Sequence, residues 1–406
     1  RCPGLRYFME KAKEHGCENF LLFSNTPPIG MTKNSSYHKT EPDFRSNLKE
    51  DCYDDFAEYL AEVAKRLSDS GYNIKYISPV NEPSWKWTTD AQEGTPWLNP
   101  EIKRLAVELD KSIQKRGLET KIFLPEADSI QNIYGCERFQ KDNPNSREDA
   151  AFNQLYAFFD PASKDYIGDL KTLARQIGAH SYHTHLKNGQ LREVRERAAK
   201  EAQKYGVEFH QTEWCFLGFY ADPKKLDGFT ADWKTKNYAD MQTALHMAKI
   251  IYADLVFGGA RSWSYWVATE LRDGICALID AEGFVEDAKK GREMRPNKLL
   301  WALGNYSFFI RPGYDRVSLE GAEDLDGVIA SAYASPDGGK IVAVFVNFKH
   351  GEVAAKVSLK SSGAKLSGVY KTDDRSDLAL VKFSPESGCV ELAPRSVTTA
   401  VWTVRE

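Results

Sequence analysis

Apolar positions along this chain alternate between two periods. Residues 4–16 space them as a helix does, and "NFLLFSN" (19–25) reads as a strand. "EDCYDDFAEYLAEVAKRLSDSG" (50–71) is an amphipathic helix stopped by Gly71, a residue that helix C-termini favour. "NIKYISPV" (73–80) predicts a strand, and a helix over about 100–116 is closed by Gly117. Strand "KIFLPEA" (121–127) follows, then helical segments between 148 and 176, strand "AHSYHTH" (179–185) and a helix over 189–205. Strand "VEFHQTEW" (207–214), a helix over 235–256, strand "ARSWSYWVA" (260–268) and a helix near 295–304 complete the series. The apolar stripe over 245–255 is core periodicity and nothing more.

Strands that alternate with helices predict a parallel α/β fold. No G-x-G-x-x-G follows a strand, so a dinucleotide-binding sheet has no support. A (β/α)8 TIM barrel keeps its chemistry where strands end and loops begin. Polar and aromatic residues fall there repeatedly, at Ser24-Asn25, Asn81-Glu82, Glu126, His183, Glu213 and Trp263 to Trp266, which favours the barrel. The six predicted strands are two short of eight, and the first two are expected upstream of Arg1. After Gly313 short strands separated by Gly, Ser, Pro and Asp turns predict an antiparallel β-sandwich. The expected domains are an N-terminally incomplete barrel over 1–312 and a sandwich side domain over 313–406. The joining segment has no Gly/Ser linker, which favours a structural side domain over a separate sugar-binding module.

Composition narrows the function. A net charge of −4 and pI of 6.2 leave no electrostatic footprint for nucleic acid. No window approaches the ~18 apolar residues of a membrane span. Seven scattered cysteines without a C-x-x-C spacing argue against a zinc knuckle, a redox motif or a disulfide framework. The chain opens on Arg rather than Met, so the lack of a signal peptide says nothing of location.

Glu82 and Glu213 each end a predicted strand. With two strands upstream they fall on strands four and seven, facing each other across a barrel mouth. Glycosidic bond cleavage needs such a pair, one carboxyl to protonate the leaving oxygen and one to attack or to activate water. A separation of about 5–5.5 Å would make the reaction retaining. A lone Glu at a strand end is more often half of a salt bridge or a helix cap. Here an amide (Asn81) precedes one, and a hydroxyl and an indole (Thr212, Trp214) flank the other.

"SPVNEP" and "QTEWC" resemble the acid/base and nucleophile signatures of clan A glycoside hydrolases, and further stretches are similar to family 30. These are "FSNTPPIGMT" (23–32), "AHSY" (179–182), "SWSYW" (262–266) and "KLLWALGNYSFFIRPGYDRV" (298–317), in matching order over nearly the whole chain. The resemblance implies Glu82 as general acid/base, Glu213 as nucleophile, Asn81 on the hydroxyl beside the reacting carbon, and Tyr182 bonded to Glu213. It implies that Asn25, His180, Trp263 and Trp266 line the glycone subsite. The run after Met31, "TKNSSY", departs from the family's usual glycine. The loop "NEPSWKWTTDAQEGTPW" (81–97) looks most like endo-β-1,6-galactanases, with Trp87 among the residues expected to contact sugar. Other activities of the family, as β-1,6-glucanase, xylanase or glucosylceramidase, are the alternatives, and no arginine cluster suggests recognition of a uronic acid. The resemblance further implies a poly- or oligosaccharide partner, a secreted or periplasmic location and no cofactor. A carbohydrate-binding protein on a degenerate barrel is the competing class.

Three other groups invite chemistry. His180, His183 and His185 suggest a metal, but on one strand His180 would point away from the other two, and there is no H-E-x-x-H, so no metal is expected. Cys215 beside Glu213 has no evident histidine to activate it. Glu126 and Asp128 either contact sugar hydroxyls or stabilise a loop with Ser129, and the sequence leaves both readings open.

Overall fold

The computed structural model describes residues 3–39, 43–88, 92–135, 151–216, 240–270, 277–280, 294–360, 363–385 and 388–404. They form two compact units. The first takes Arg1–Tyr182, Glu196–Thr212 and Ala260–Ser262; the second takes His183–Arg195, Glu213–Gly259 and Trp263–Glu406.

In the first unit α1 (Pro3–Glu14) precedes β1 (Phe20–Phe23), then α2 (Tyr53–Asp69), β2 (Ile74–Ser78), α3 (Asn99–Lys115), β3 (Lys121–Ala127), α4 (Gln154–Phe159) and β4 (Leu173–Ala179). Helix α5 (Asn188–Lys204) contributes residues to both units and leads to β5 (Glu208–Gln211). The five strands form one sheet in the order β1-β2-β3-β4-β5, and every neighbouring pair is parallel. Parallel strands with helical crossovers bring all their carboxyl ends to one edge of the sheet. That edge is where Asn25, Glu82, Glu126 and His180 lie.

The helices form for local reasons. α2 buries Tyr53, Phe56, Ala57, Leu60, Ala61 and Ala64, one stripe at helical spacing, and keeps Asp54 and Asp55 in its first turn. Each large apolar side chain so buried is worth roughly 1.5–3 kcal/mol. Gly71 adopts φ +87°, and the N–H of Tyr72 returns to the Leu67 carbonyl to close the helix. At the start of α3 the Glu101 carboxylate accepts from the N–H of Leu98 (2.8 Å) and from that of Ser46 (3.0 Å).

Two predicted strands are corrected. Residues 180–185 are not in a strand: β4 spans Leu173–Ala179, and residues 173–176, expected to be helical, are part of it. "LARQ" is rich in helix formers, but pairing with both β3 and β5 outweighs that weak preference. The histidines therefore follow the strand, and no shared strand face relates them. Residues 260–268 are not a regular strand either. Arg261 donates to the Phe209 carbonyl, and Gln211 donates to the Ser262 carbonyl, but the backbone bonds beyond are irregular and the short strand β6 covers Thr269–Glu270.

The second unit holds α6 (Met241–Val256), buried on nearly every side, and β6 with β7 (Ile279–Asp280) and β8 (Arg295–Pro296). Helix α7 (Lys298–Ser307) follows, capped by Asn297, whose side chain accepts from Leu299 and Leu300. Strands β9 (Asp315–Val317), β10 (Val328–Ala334), β11 (Lys340–Asn347), β12 (Val353–Lys356), β13 (Ala364–Asp373), β14 (Ser376–Leu380), β15 (Cys389–Leu392) and β16 (Ser396–Val404) complete it. Six make an antiparallel sheet in the order β14-β13-β16-β11-β10-β9, and β12 pairs with β15. Phe345, Val369 and Trp402 from the large sheet meet Val390 and Leu392 from the small one in a single core, the packing of a sandwich. Strands β9 and β14 are short and form the two edges of the large sheet.

Candidate active site

Beyond β2 the chain runs through buried Val80 and Asn81 to Glu82, whose backbone is left-handed at φ +43°. Its N–H donates to the Glu126 carbonyl at 2.8 Å, and its own carbonyl accepts from the Trp87 indole at 3.1 Å. Glu126 ends β3 with a left-handed φ of +55°. Two strained acidic residues, one beyond β2 and one near the end of β3, are thus joined through the backbone, and such strain persists only where the surroundings enforce it.

The side chains converge on His180, the residue after β4, which is fully buried. Its Nδ1 lies 2.9 Å from Glu82 Oε1, and its Nε2 lies 3.6 Å from Glu126 Oε2. The Glu82 side chain is 16% exposed and that of Glu126 only 2%. Tyr182 packs edge-on against His180, with ring centroids 5.9 Å apart. Gly178 makes room, because a Cβ there would stand 3.1 Å from Glu126 Oε2 and 2.5 Å from the Phe123 ring. His210, on β5, is held neutral at this edge by burial, which pushes its pKa down to about 4.

Beside the acid, Asn81 Nδ2 donates to Asn25 Oδ1 at 3.2 Å, and Asn25 Nδ2 donates to Glu93 Oε1 at 3.2 Å. Asn81 Oδ1 is buried with no hydrogen-bond partner among the described residues, so its lone pairs are available to a hydroxyl. Of the loop tryptophans, Trp87 is 6% exposed and packs against Gly94, whereas Trp85 is 42% exposed. Trp87 therefore holds the Glu82 carbonyl, and the ring open to a ligand is Trp85. Asp128 is buried and bonds to Ser84 and Asn132, which makes it a structural support for the loop.

In the second unit Glu213 is partly buried and precedes fully buried Trp214. Trp214 meets Trp263 and Tyr265 at centroid distances of 6.3 and 6.1 Å, and its carbonyl accepts from the Trp266 N–H at 3.0 Å. The Trp263 indole donates to Asp254 Oδ2 at 2.9 Å, and Asp254 is paired with Arg195 at 2.6 Å, both fully buried. Arg195 in turn donates to the carbonyls of Thr184 and Leu191. A desolvated, hydrogen-bonded ion pair thus fixes the indole. Cys215 is buried.

In the first unit, carboxyls beside an amide and a histidine suit proton transfer to a hydroxyl-bearing ligand. Comparison with known proteins agrees. The model of O-glycosyl hydrolase family 30 matches residues 1–279, and the chain belongs to that family. An endo-β-1,6-galactanase of Hypocrea rufa is 27% identical over 179 residues, 43% of this chain and 36% of that protein. The match thus spans about a third of the curated relative's length. A conserved exported protein from Bacteroides fragilis superposes with a TM-score of 0.84 at 27% identity, over 98% of this chain and 79% of that one. A family 30 subfamily 8 xylanase from Clostridium acetobutylicum shares the fold, with a TM-score of 0.66 at 19% identity over 98% of this chain and 82% of the other.

Proposed function

We propose that this chain is a retaining glycoside hydrolase that cleaves β-1,6-galactan from within, as on arabinogalactan side chains. Glu82 is the general acid/base and Glu213 the nucleophile. The observation that carries the reading is Glu82 Oε1 held 2.9 Å from His180 at the carboxyl edge of a parallel sheet, in a chain of family 30. A proton can be kept there and delivered to a leaving oxygen, while the second glutamate attacks the anomeric carbon. Asn81 Oδ1 takes the hydroxyl beside that carbon, with Asn25 and Glu93 fixing the amide. Tyr182 orients the Glu213 carboxylate, and Trp263 and Trp266 stack on the glycone.

The galactan assignment rests on the Hypocrea rufa relative and on the loop over residues 81–97. The five-stranded sheet is read as part of a (β/α)8 barrel within residues 1–312, with 313–406 as its side domain; the solved structures of the same fold support this. The exported relative supports a location outside the cytoplasm.

The test is product release from β-1,6-galactan, β-1,6-glucan and xylan, with the anomer of the first product read by NMR and Glu213→Gln as control. Galactan cleavage with retention, abolished in the variant, is the expected result. Inversion overturns the mechanism, cleavage of glucan or xylan alone overturns the substrate, and tight galactan binding without product overturns the enzyme.

A further inference from the structure

We infer that Glu126 is a positioning residue for the acid: it acts through His180 to keep a proton between His180 and Glu82. The inference rests on the reading of Glu82 as general acid. Glu126 is buried, and its Oε2 has no hydrogen-bond partner among the described residues. A buried carboxylate is costly unless a cation or a donor faces it. His210 supplies no charge, since burial keeps it neutral down to about pH 4. The side-chain nitrogen that does face Glu126 Oε2 is His180 Nε2, at 3.6 Å, and a slight turn of the ring or carboxylate closes that to a hydrogen bond.

The consequence lies at the other ring nitrogen. A carboxylate accepts and never donates, so Glu126 selects the form of His180 that carries a proton on Nε2. In the neutral ring Nδ1 is then an acceptor, and its 2.9 Å contact with Glu82 Oε1 requires the proton to sit on Glu82. In the charged ring Nδ1 donates to an ionised Glu82. In both cases one proton lies in that contact, ready for a leaving oxygen. Without the Glu126 charge the ring can take the opposite neutral tautomer, with Nδ1–H facing an ionised Glu82; a neutral imidazole, unlike the charged ring, does not release that proton, and the acid is lost. The strained backbones, the Glu82–Glu126 main-chain bond and the cavity left by Gly178 all hold Glu126 where this selection works.

The experiment compares kcat/KM, which reports glycosylation, for wild type, Glu126→Gln and Glu82→Ala. Two substrates are used: the β-glycan that the wild type cleaves, and the dinitrophenyl glycoside of the same sugar, whose leaving group needs no acid. Glu126→Gln is expected to lose on the order of tenfold on the glycan, part of the ~10²–10⁴-fold that a general acid contributes, and less than about twofold on the dinitrophenyl glycoside. Equal losses on both overturn the inference. If Glu82→Ala also shows no dependence on the leaving group, the acid assignment itself fails. Should Glu126→Gln not fold, nitrogen NMR of His180 in the wild type decides: a proton on Nε2 is expected, and a neutral ring protonated on Nδ1 overturns the inference.

Discussion

Glu82 spends about 1–3 kcal/mol on a left-handed backbone, and the contacts around it show what that strain maintains. Its carboxyl reaches His180, its N–H reaches Glu126 and its carbonyl reaches Trp87, so removing the side chain should affect proton delivery before shape. Glu82→Ala is expected to lower kcat/KM on the natural glycan by ~10²–10⁴-fold and far less on a dinitrophenyl glycoside, measured as a ratio of ratios. Equal losses would remove Glu82 from the acid role. Gly94→Ala tests the supporting loop. An added Cβ would collide with the Trp87 indole, so the ring must move, at a cost of about 1–3 kcal/mol in denaturant unfolding. The Trp87 bond to the Glu82 carbonyl should break with it, and unchanged activity on the glycan would show that this bond is dispensable.

At the scale of elements, the helices depend on single polar residues at their ends. Asn297 caps α7 by accepting from two backbone N–H groups and also donates to the Ala277 carbonyl at 2.6 Å. Asn297→Ala should cost about 1–2 kcal/mol, read as a shift of the urea midpoint at constant slope. Loss within error would mean that the capping bonds are matched by water. The buried Arg195–Asp254 pair is a harsher case, since it has no water to fall back on. Asp254→Ala leaves a buried guanidinium uncompensated, an expected loss of about 3–5 kcal/mol, together with a freed Trp263 indole. Calorimetry checks the first effect and Trp fluorescence the second. The elements were largely legible in sequence because their signals are local: a 3.6-residue stripe with a terminal glycine marks α2, and an apolar run marks β3. β4 was misplaced by six residues because "LARQIGA" has no such local signal, and its strand state comes from partners in β3 and β5.

For the whole molecule, one buried and one largely buried histidine set a pH dependence. Burial holds His210 down at about 4, and burial with His185, Lys249 and Arg195 nearby holds His246 well below its ordinary value. The unfolded chain protonates both near pH 6.5 while the fold does not, so the unfolded state gains protons as pH falls. Stability is full above pH 6.5 and declines below it, by up to about 1.4 kcal/mol per pH unit for each histidine, levelling for His210 near pH 4. Urea unfolding at stepped pH should show this slope, and His210→Gln should reduce it; an unchanged slope would mean that the carboxylates dominate. The sequence by itself determined most of the alternation of strands and helices, the sandwich texture after Gly313 and that Glu82 and Glu213 follow closely on strands, because hydrophobic period and turn residues act over a few positions. Only the tertiary structure decided that Glu126 stands behind His180, that Trp87 serves a carbonyl while Trp85 is exposed, and that β4 ends at residue 179. His180 is 98 residues from Glu82 in the chain, and no local pattern encodes a meeting that strand register alone creates.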